Sequence, residues 1–357
     1  MRERLFIRVG KQFRPFSTSA GIHCRGCSLP LPRVIVDFGA DLAFGRASAK
    51  LREHYGISIA TSTIRKITEH HANQIVERDN PVQSIPKRAG CAQPIGEMDG
   101  GMIPIMSVNQ QAKDQRKNKT LHWKEVRLSL VHEQGNVTPK FGAVCQGSVD
   151  DAGQCRLNTA ILAGFGYQTH LHAVGDGASW IAQPVQDKFD QPSSYLVDFY
   201  HVCDYLAAAS LHTSGGESKD WLEAQKQALK NNQQERVIKA LEPYLEAEDI
   251  EEGPPVRACH RYLSNRTGQL DYQTALDKGL PIGSGEIESA HRYVIQERLK
   301  LPGSWWKPAH ANAMLALRIV RANQQWDDYY FHEGLNPWVP LGYVVVGNHI
   351  IQYQTLI

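Results

Sequence analysis

Two aspartates sit in glycine-rich stretches of this chain. Asp99 lies in GEMDGG and Asp176 in VGDG. A third acid follows far downstream in PIGSGEIES, either Glu286 or Glu288. Hard divalent cations take oxygen ligands, and Mg2+ is usually held by one or two carboxylates with water and phosphate oxygens. Two such ions, roughly 3.5–4 Å apart, activate a water and stabilise the leaving oxygen of a phosphodiester. Glycines beside each aspartate let a polymer backbone approach closely. These residue types therefore suit phosphodiester cleavage assisted by Mg2+ or Mn2+.

Such residues need elements to hold them. From Ile95 the chain reads as short strands: GEMDGGMIPIM carries Asp99, TLHWKEVRLSLVHEQ alternates, and VTPKFGAVCQG follows a Gly135-Asn136 turn. QCRLNTAILAGFGY reads as a helix. THLHAVGDGASW is a buried strand ending in Asp176, and SSYLVDFYH is another, leading into a helix from about Val202. Residues 216–249 are rich in Glu, Gln, Lys, Ala and Leu and strongly helical. Strands stop near His201 and only helices follow to Leu280, which predicts an all-helical insertion in an α/β core. At the third acid, Ser284 stands at a helix N-cap position, with Ile287, Ala290, Val294 and Arg298 on one face. Glu286 and Glu288 fall on either side of that stripe. Glu288 shares its sector with Ile295 and Leu299, yet helical geometry leaves both open. The tail of this segment, Arg298, Lys300, Trp305, Trp306 and Lys307, is basic and aromatic, as suits a nucleic-acid strand.

Upstream, RASAKLREHYG and TSTIRKITEHHANQI predict a helix-turn-helix, with Ile64, Ile67, His71 and Ile75 inward and Thr63, Arg65, Lys66 and Glu69 outward. Cys24-Arg25-Gly26-Cys27 is a single CxxC knuckle, half of what a Zn2+ site needs. The other five cysteines are isolated, which suits reduced thiols in a cytoplasm. Composition is that of a globular protein, 42% hydrophobic and 21% charged. Residues 1–75 hold 12 Lys and Arg against 5 Asp and Glu, +7, so the remainder of a chain at +2 carries −5. A basic head on an acidic body suits DNA binding by the first and metal binding by the second. No apolar run is long enough to span a membrane and no secretory signal is present. The Arg-rich N-terminus lacks the amphipathic period of a transit peptide.

The combination resembles the DDE transposases of the Kra-type insertion sequences. The matching pieces are Trp123-Lys124-Glu125-Val126-Arg127, Val174-Gly175-Asp176-Gly177-Ala178, Asp198-Phe199-Tyr200-His201, Pro281 to Gly285 with Glu288-Ser289, Arg298-Leu299-Lys300 and Gly303-Ser304-Trp305-Trp306. The likeness runs from about Gly21 to Trp326. It implies a ribonuclease-H-like core, a mixed sheet flanked by helices, with catalytic Asp99, Asp176 and Glu288. Asp99 would bridge two metals, with Asp176 on one and Glu288 on the other. It also implies a D-x-x-H pair, Asp198 and His201, whose histidine helps position DNA. DNA contacts are expected at Thr63, Arg65, Lys66, Arg298, Lys300, Trp305 and Trp306. The implied activity is cleavage at a DNA element's ends followed by strand transfer. Expected partners are terminal inverted repeats and target DNA, with a homo-oligomer on the ends and no membrane. The implied location is the bacterial cytoplasm, at the nucleoid.

The expected organisation is a partial zinc ribbon at 1–35 (Cys24 and Cys27), a helix-turn-helix domain at 36–77, and a linker at 78–94. A core at 95–206 and 280–326 is interrupted by the helical insertion at 207–279, and a tail follows at 327–357. The halved knuckle and an unfamiliar C-terminal stretch favour an alternative, a non-catalytic DNA-binding protein or decayed copy. A third reading is a zinc hydrolase using His170 and His172, which share one face of the Asp176 strand.

Overall fold

The computed structural model describes residues 6–8, 11–13, 30–78, 84–109, 111, 114, 118–189, 193–213, 218–247, 253–332, 343–346 and 349–352. Cys24, Cys27 and most of the expected zinc-ribbon segment lie outside them. The chain divides into two compact units, one of 1–79, 301–303 and 309–357, the other of 80–300 and 304–308.

The first unit begins with a short hairpin, β1 (Phe6–Arg8) and β2 (Lys11–Phe13). Three helices follow: α1 (Pro30–Asp41), α2 (Phe44–Tyr55) and α3 (Thr61–Arg78). Gly56, at φ 65°, ends α2 in the left-handed conformation that glycine adopts without steric cost. Ile64, Ile67, His71 and Ala72 form the buried face of α3. The helix over 30–41 crosses the expected boundary at residue 36; its buried Ile35, Val36 and Ala40 mark a core-facing stripe.

The second unit is built on a five-stranded mixed sheet flanked by helices. Its strands are β3 (Pro94–Val108), β4 (Lys119–Glu133), β5 (Lys140–Cys145), β6 (His172–Gly175) and β7 (Ser194–Val197), in the order β5-β4-β3-β6-β7. The first three form an antiparallel meander, and β6 and β7 run parallel to β3. Parallel neighbours need crossovers. Here α4 (Val149–Leu162) joins β5 to β6 and α5 (Ser179–Lys188) joins β6 to β7. Ser148 and Asp151 close α4 with a reciprocal capping box.

After β7 come α6 (Phe199–Thr213), α7 (Ser218–Lys230), α8 (Gln234–Leu241), α9 (Pro255–Ser264) and α10 (Tyr272–Asp277). Helix α6 starts at Phe199, earlier than its apolar pattern suggests, because the Asp198 carboxylate accepts the N–H groups of Tyr200 and His201. Buried Leu206, Leu229, Val256, Cys259, Leu263 and Tyr272 join one continuous core with Ile95, Ala173, Leu196 and Val197 of the sheet. Each large apolar side chain among them contributes about 1.5–3 kcal/mol by leaving water, so the inserted helices are integral to the unit. The chain then enters α11 (Gly285–Ala290), which continues through a π-helical stretch, His291–Gln296, and a last turn, Glu297–Leu299.

Two further helices, α12 (Pro308–Ala322) and α13 (Trp326–His332), group from Ala309 onward with the first unit. Arg318 donates to the Ala40 carbonyl and Asp41, and Arg321 bonds Asp37 and Asp41. The Tyr329 hydroxyl lies 2.7 Å from His71 Nδ1. The stretch 280–326, expected to serve one unit, thus divides between two. A hairpin, β8 (Tyr343–Val346) and β9 (His349–Gln352), accounts for the strand-like C-terminus. Among the described residues no helix is long and apolar enough to cross a membrane.

Candidate active site

The pairing of β3 with β6 sets Ile95 against His172, Gly96 against Ala173 and Glu97 against Val174. The same sequence interval separates Asp99 from Asp176. The pairing ends there, so the two aspartates follow the paired stretch at the same offset, two residues on, along neighbouring parallel chains. Asp99 is still inside β3, opposite Leu128 of β4, and Asp176 directly follows the last residue of β6.

Three side chains hold the Asp176–Gly177 turn. Tyr262 donates its hydroxyl to the Asp176 carbonyl at 2.6 Å, and Arg266 donates from Nε and Nη2 to the Gly177 carbonyl at 3.1 and 2.9 Å. The Gly177 N–H donates to the Tyr195 hydroxyl at 3.0 Å. Gly177 has φ +82°, and a Cβ there would strike Arg266 and Tyr262. Tyr262 and Arg266 belong to the helical insertion, whose side chains therefore shape the second acid's turn. The Arg266 guanidinium also lies over the Tyr262 ring, 3.7 Å from its centroid.

The third acid is set by a buried glutamate. Glu97 is 1% exposed and stands two positions before Asp99, so both point to one face of β3. Its Oε2 accepts the Ile287 N–H at 2.8 Å. Ser284, expected as the helix cap, makes no capping bond. Its N–H and hydroxyl both donate to Asp198 Oδ2, at 2.7 and 2.6 Å. Glu97 takes the capping role from across the sheet, because Asp198 has claimed the serine. Burial pushes the Glu97 carboxyl up to about 8, the N–H groups of Ile287 and Glu286 oppose this, and the charges of Glu286 and Asp198 add to it.

The two glutamates of α11 diverge. Glu286 lies 3.3 Å from His132 Nε2 on β4. Glu288 lines a cavity of about 440 Å³ with Asp198, Tyr200, Pro281, Ile282, Gly283 and Gly285. Burial raises the Asp99 carboxyl above its usual range. His291 and the Gly100 N–H pull it down, and the charges of Asp176 and Glu288 push it up. Asp176 and Glu288 are thus each near enough to Asp99 for their charges to act on it. His291, in the π-helical stretch, places Nε2 3.2 Å from the Asp99 carbonyl and 3.5 Å from its carboxylate. A Cβ on Gly101 would lie 2.8 Å from His291 Nδ1, so a glycine there admits the ring. π-Helical turns are uncommon and frequent at functional sites.

Asp198, buried, is a structural hub: it caps α6 and ties down the Pro281–Ser284 turn. His201 packs edge-on against Tyr205 and Tyr262, with centroids 5.5 and 5.8 Å away. His170 is exposed and precedes β6, whereas His172 is bonded within the protein. It is buried, its Nε2 is 2.8 Å from the Pro281 carbonyl, and β6 begins only at His172. Among the described residues no group of three His, Cys, Asp or Glu side chains is drawn tightly enough to grip a metal ion.

Two of the expected DNA contacts are internal. Arg298 is buried with its guanidinium 4.8 Å from the Trp306 ring centroid, and the buried Trp306 donates from Nε1 to the Leu299 carbonyl. Stacking on an aromatic face lets the arginine be buried. Its place on the apolar stripe with Ile287, Ala290 and Val294 is the sequence sign of this. Lys300 and Trp305 are exposed. In the first unit Arg65 and Lys66 are exposed, Thr63 is half-buried, and Arg65 lies 4.0 Å from Glu69. Sequence reasoning does not reach Glu97, His291, Tyr262 or Arg266. Glu97 has a signal, an acid within a run of buried strand residues; the others have only the proximity that folding creates.

No family model and no curated protein matches this chain.

Proposed function

We propose that the chain is a DDE-type transposase with a ribonuclease-H-like core, cleaving DNA at an element's ends and joining the freed strand to target DNA. The observation that carries the reading is that β3 and β6 pair in parallel up to Glu97 and Val174, two residues before Asp99 and Asp176, and that the charges of Asp176 and Glu288 both raise the Asp99 carboxyl. The strand order supports it: an antiparallel meander, then two parallel strands, with an all-helical insertion before the third acid. Three carboxylates, oxygen donors only, suit Mg2+ or Mn2+. A three-residue cage is not needed, since water and phosphate oxygens complete such sites. When bound, a pair of these ions supplies Lewis acidity and an activated water.

The chain's own residues have separable tasks. Asp99, Asp176 and Glu288 would hold the ions. His291 orients Asp99, and Glu97 fixes the head of the Glu288 helix. Water attacks the phosphodiester, leaving a 5′-phosphate and a 3′-OH; that hydroxyl then attacks a target phosphodiester and displaces the target strand's own 3′ oxygen. Arg65 and Lys66 on the second helix of a helix-turn-helix would read DNA, with the protein acting as a homo-oligomer on the ends.

Purified protein with Mg2+ and DNA carrying the sequences that flank its coding region tests this. Nicking by the wild type and none by Asp176→Asn is the expected result. Equal nicking by both discards the site. Tight end binding without cleavage favours the second reading, a non-catalytic DNA-binding protein.

A further inference from the structure

Strands β3 and β4 run 15 residues each, far longer than their neighbours β5, β6 and β7. Their far end is a two-stranded ribbon outside the β5 and β6 pairings, which end at Val126 and Glu97. There Pro104 stands opposite Trp123, Met102 opposite Glu125 and Met106 opposite Leu121. On the other edge of β3, Trp306 forms a parallel bridge with Ile105, accepting from the Met106 N–H and donating to the Pro104 carbonyl. Trp306 therefore shares the Ile105 face, where it is buried. Trp305, exposed and directly before the bridge, would by strand-like alternation turn to the opposite face, that of Pro104 and Trp123. On that face Trp123 is 54% exposed, Trp305 49%, Met102 44% and Leu121 39%.

An exposed apolar face of this kind marks a binding surface. Lys300 Nζ sits 5.8 Å from the Trp123 ring centroid, within cation–π range. Residues 119, 121 and 123 on that face and the segment 304–308, with Lys300, contribute Lys119, Lys300 and Lys307 and no acid. The nearest acid in sequence, Glu125, is held by Arg127 at 2.9 Å. A second copy of the chain is a poor occupant, because a two-fold contact sets a patch against itself and these lysines would face one another. A polyanion with flat apolar faces fits both features. In a duplex those faces are stacked away, so the indoles can pair only with unpaired bases.

We infer that Trp123 and Trp305, rimmed by Lys300, form a platform that stacks unpaired bases of a single-stranded DNA segment. The inference deepens the proposed function and rests on it only for the source of that segment, a strand end opened at the cleavage site. Its test avoids cleavage altogether. Full-length protein in chelator is titrated against a fluorescent oligothymidylate of about 12 nucleotides and a duplex of the same length. The Trp123→Ala/Trp305→Ala double variant should bind the single strand about tenfold or more weakly and the duplex unchanged. Trp123→Phe, which keeps a ring, should restore most of the loss from Trp123→Ala. Lys300→Ala should weaken binding and flatten its salt dependence. Single-strand binding unaltered in the double variant overturns the platform, as does a concentration-dependent dimer abolished by Trp123→Ala. Absent stacking with intact Mg2+-dependent nicking rejects the platform alone, and the converse rejects the transposase reading alone.

Discussion

At the scale of single residues, Glu97 is the least replaceable group near the site that is not itself one of the three acids. It is buried, yet it holds the first turn of α11 by accepting the Ile287 N–H. Glu97→Gln keeps an acceptor and sheds a buried acid, so stability should hold. Glu97→Ala leaves buried N–H donors unsatisfied and should cost about 1–3 kcal/mol, read as a drop in denaturant midpoint. A wild-type midpoint for Glu97→Ala would refute the cross-sheet cap. Tyr262 offers a second check. Tyr262→Phe deletes only the bond to the Asp176 carbonyl, worth about 0.5–1.5 kcal/mol. A misplaced Asp176 should slow nicking by about ten- to a hundredfold while DNA binding persists. Weakened DNA binding at an unchanged nicking rate would show that Tyr262 acts elsewhere.

At the scale of elements, the sequence is informative where local rules decide and silent where distant ones do. The strands around Asp99 and Asp176, the α2 and α3 helices with Gly56 between them, and the strand-free insertion are all readable from periodicity and turn residues. The start of α6 is not readable from its apolar pattern, although its cap, Asp198, directly precedes it. Nor is the use of Ser284, whose bonds go to Asp198 on a distant stretch of chain. Arg298 and Trp306 look like a surface pair in sequence and stack internally in the fold; their types are right for DNA, and only burial distinguishes the two roles. Helix α3 carries a prediction of its own. Burial, with a smaller push from His70, lowers the His71 imidazole from 6.5 to about 4. A base depressed in the folded state contributes stability that is fully present above its unfolded value and is lost as pH falls from there towards the folded one. Protection factors against hydrogen exchange over residues 61–78, corrected for the intrinsic slowing of exchange in acid, should therefore fall between pH 6.5 and about 4, and His71→Phe should blunt that fall. Equal acid sensitivity in His71→Phe would assign the effect to another group.

At the scale of the whole molecule, the chain places two acids by sheet register and a third by a helix that returns after a long helical insertion. The two aspartates are legible in sequence as glycine-flanked acids in or just after strands. Their coincidence in space follows from the register of β6 against β3, which no local pattern encodes. The insertion shares the core of the sheet and supplies Tyr262 and Arg266 to the Asp176 turn, so deleting it should unfold the second unit and not merely remove an appendage. The most direct measurement is an anomalous difference map from crystals of the protein grown with Mn2+ and end DNA. Two peaks roughly 3.5–4 Å apart are expected, both touching Asp99, one shared with Asp176 and the other with Glu288. Mn2+ bound elsewhere, with the Asp99 carboxylate free of metal, would contradict the three-acid site.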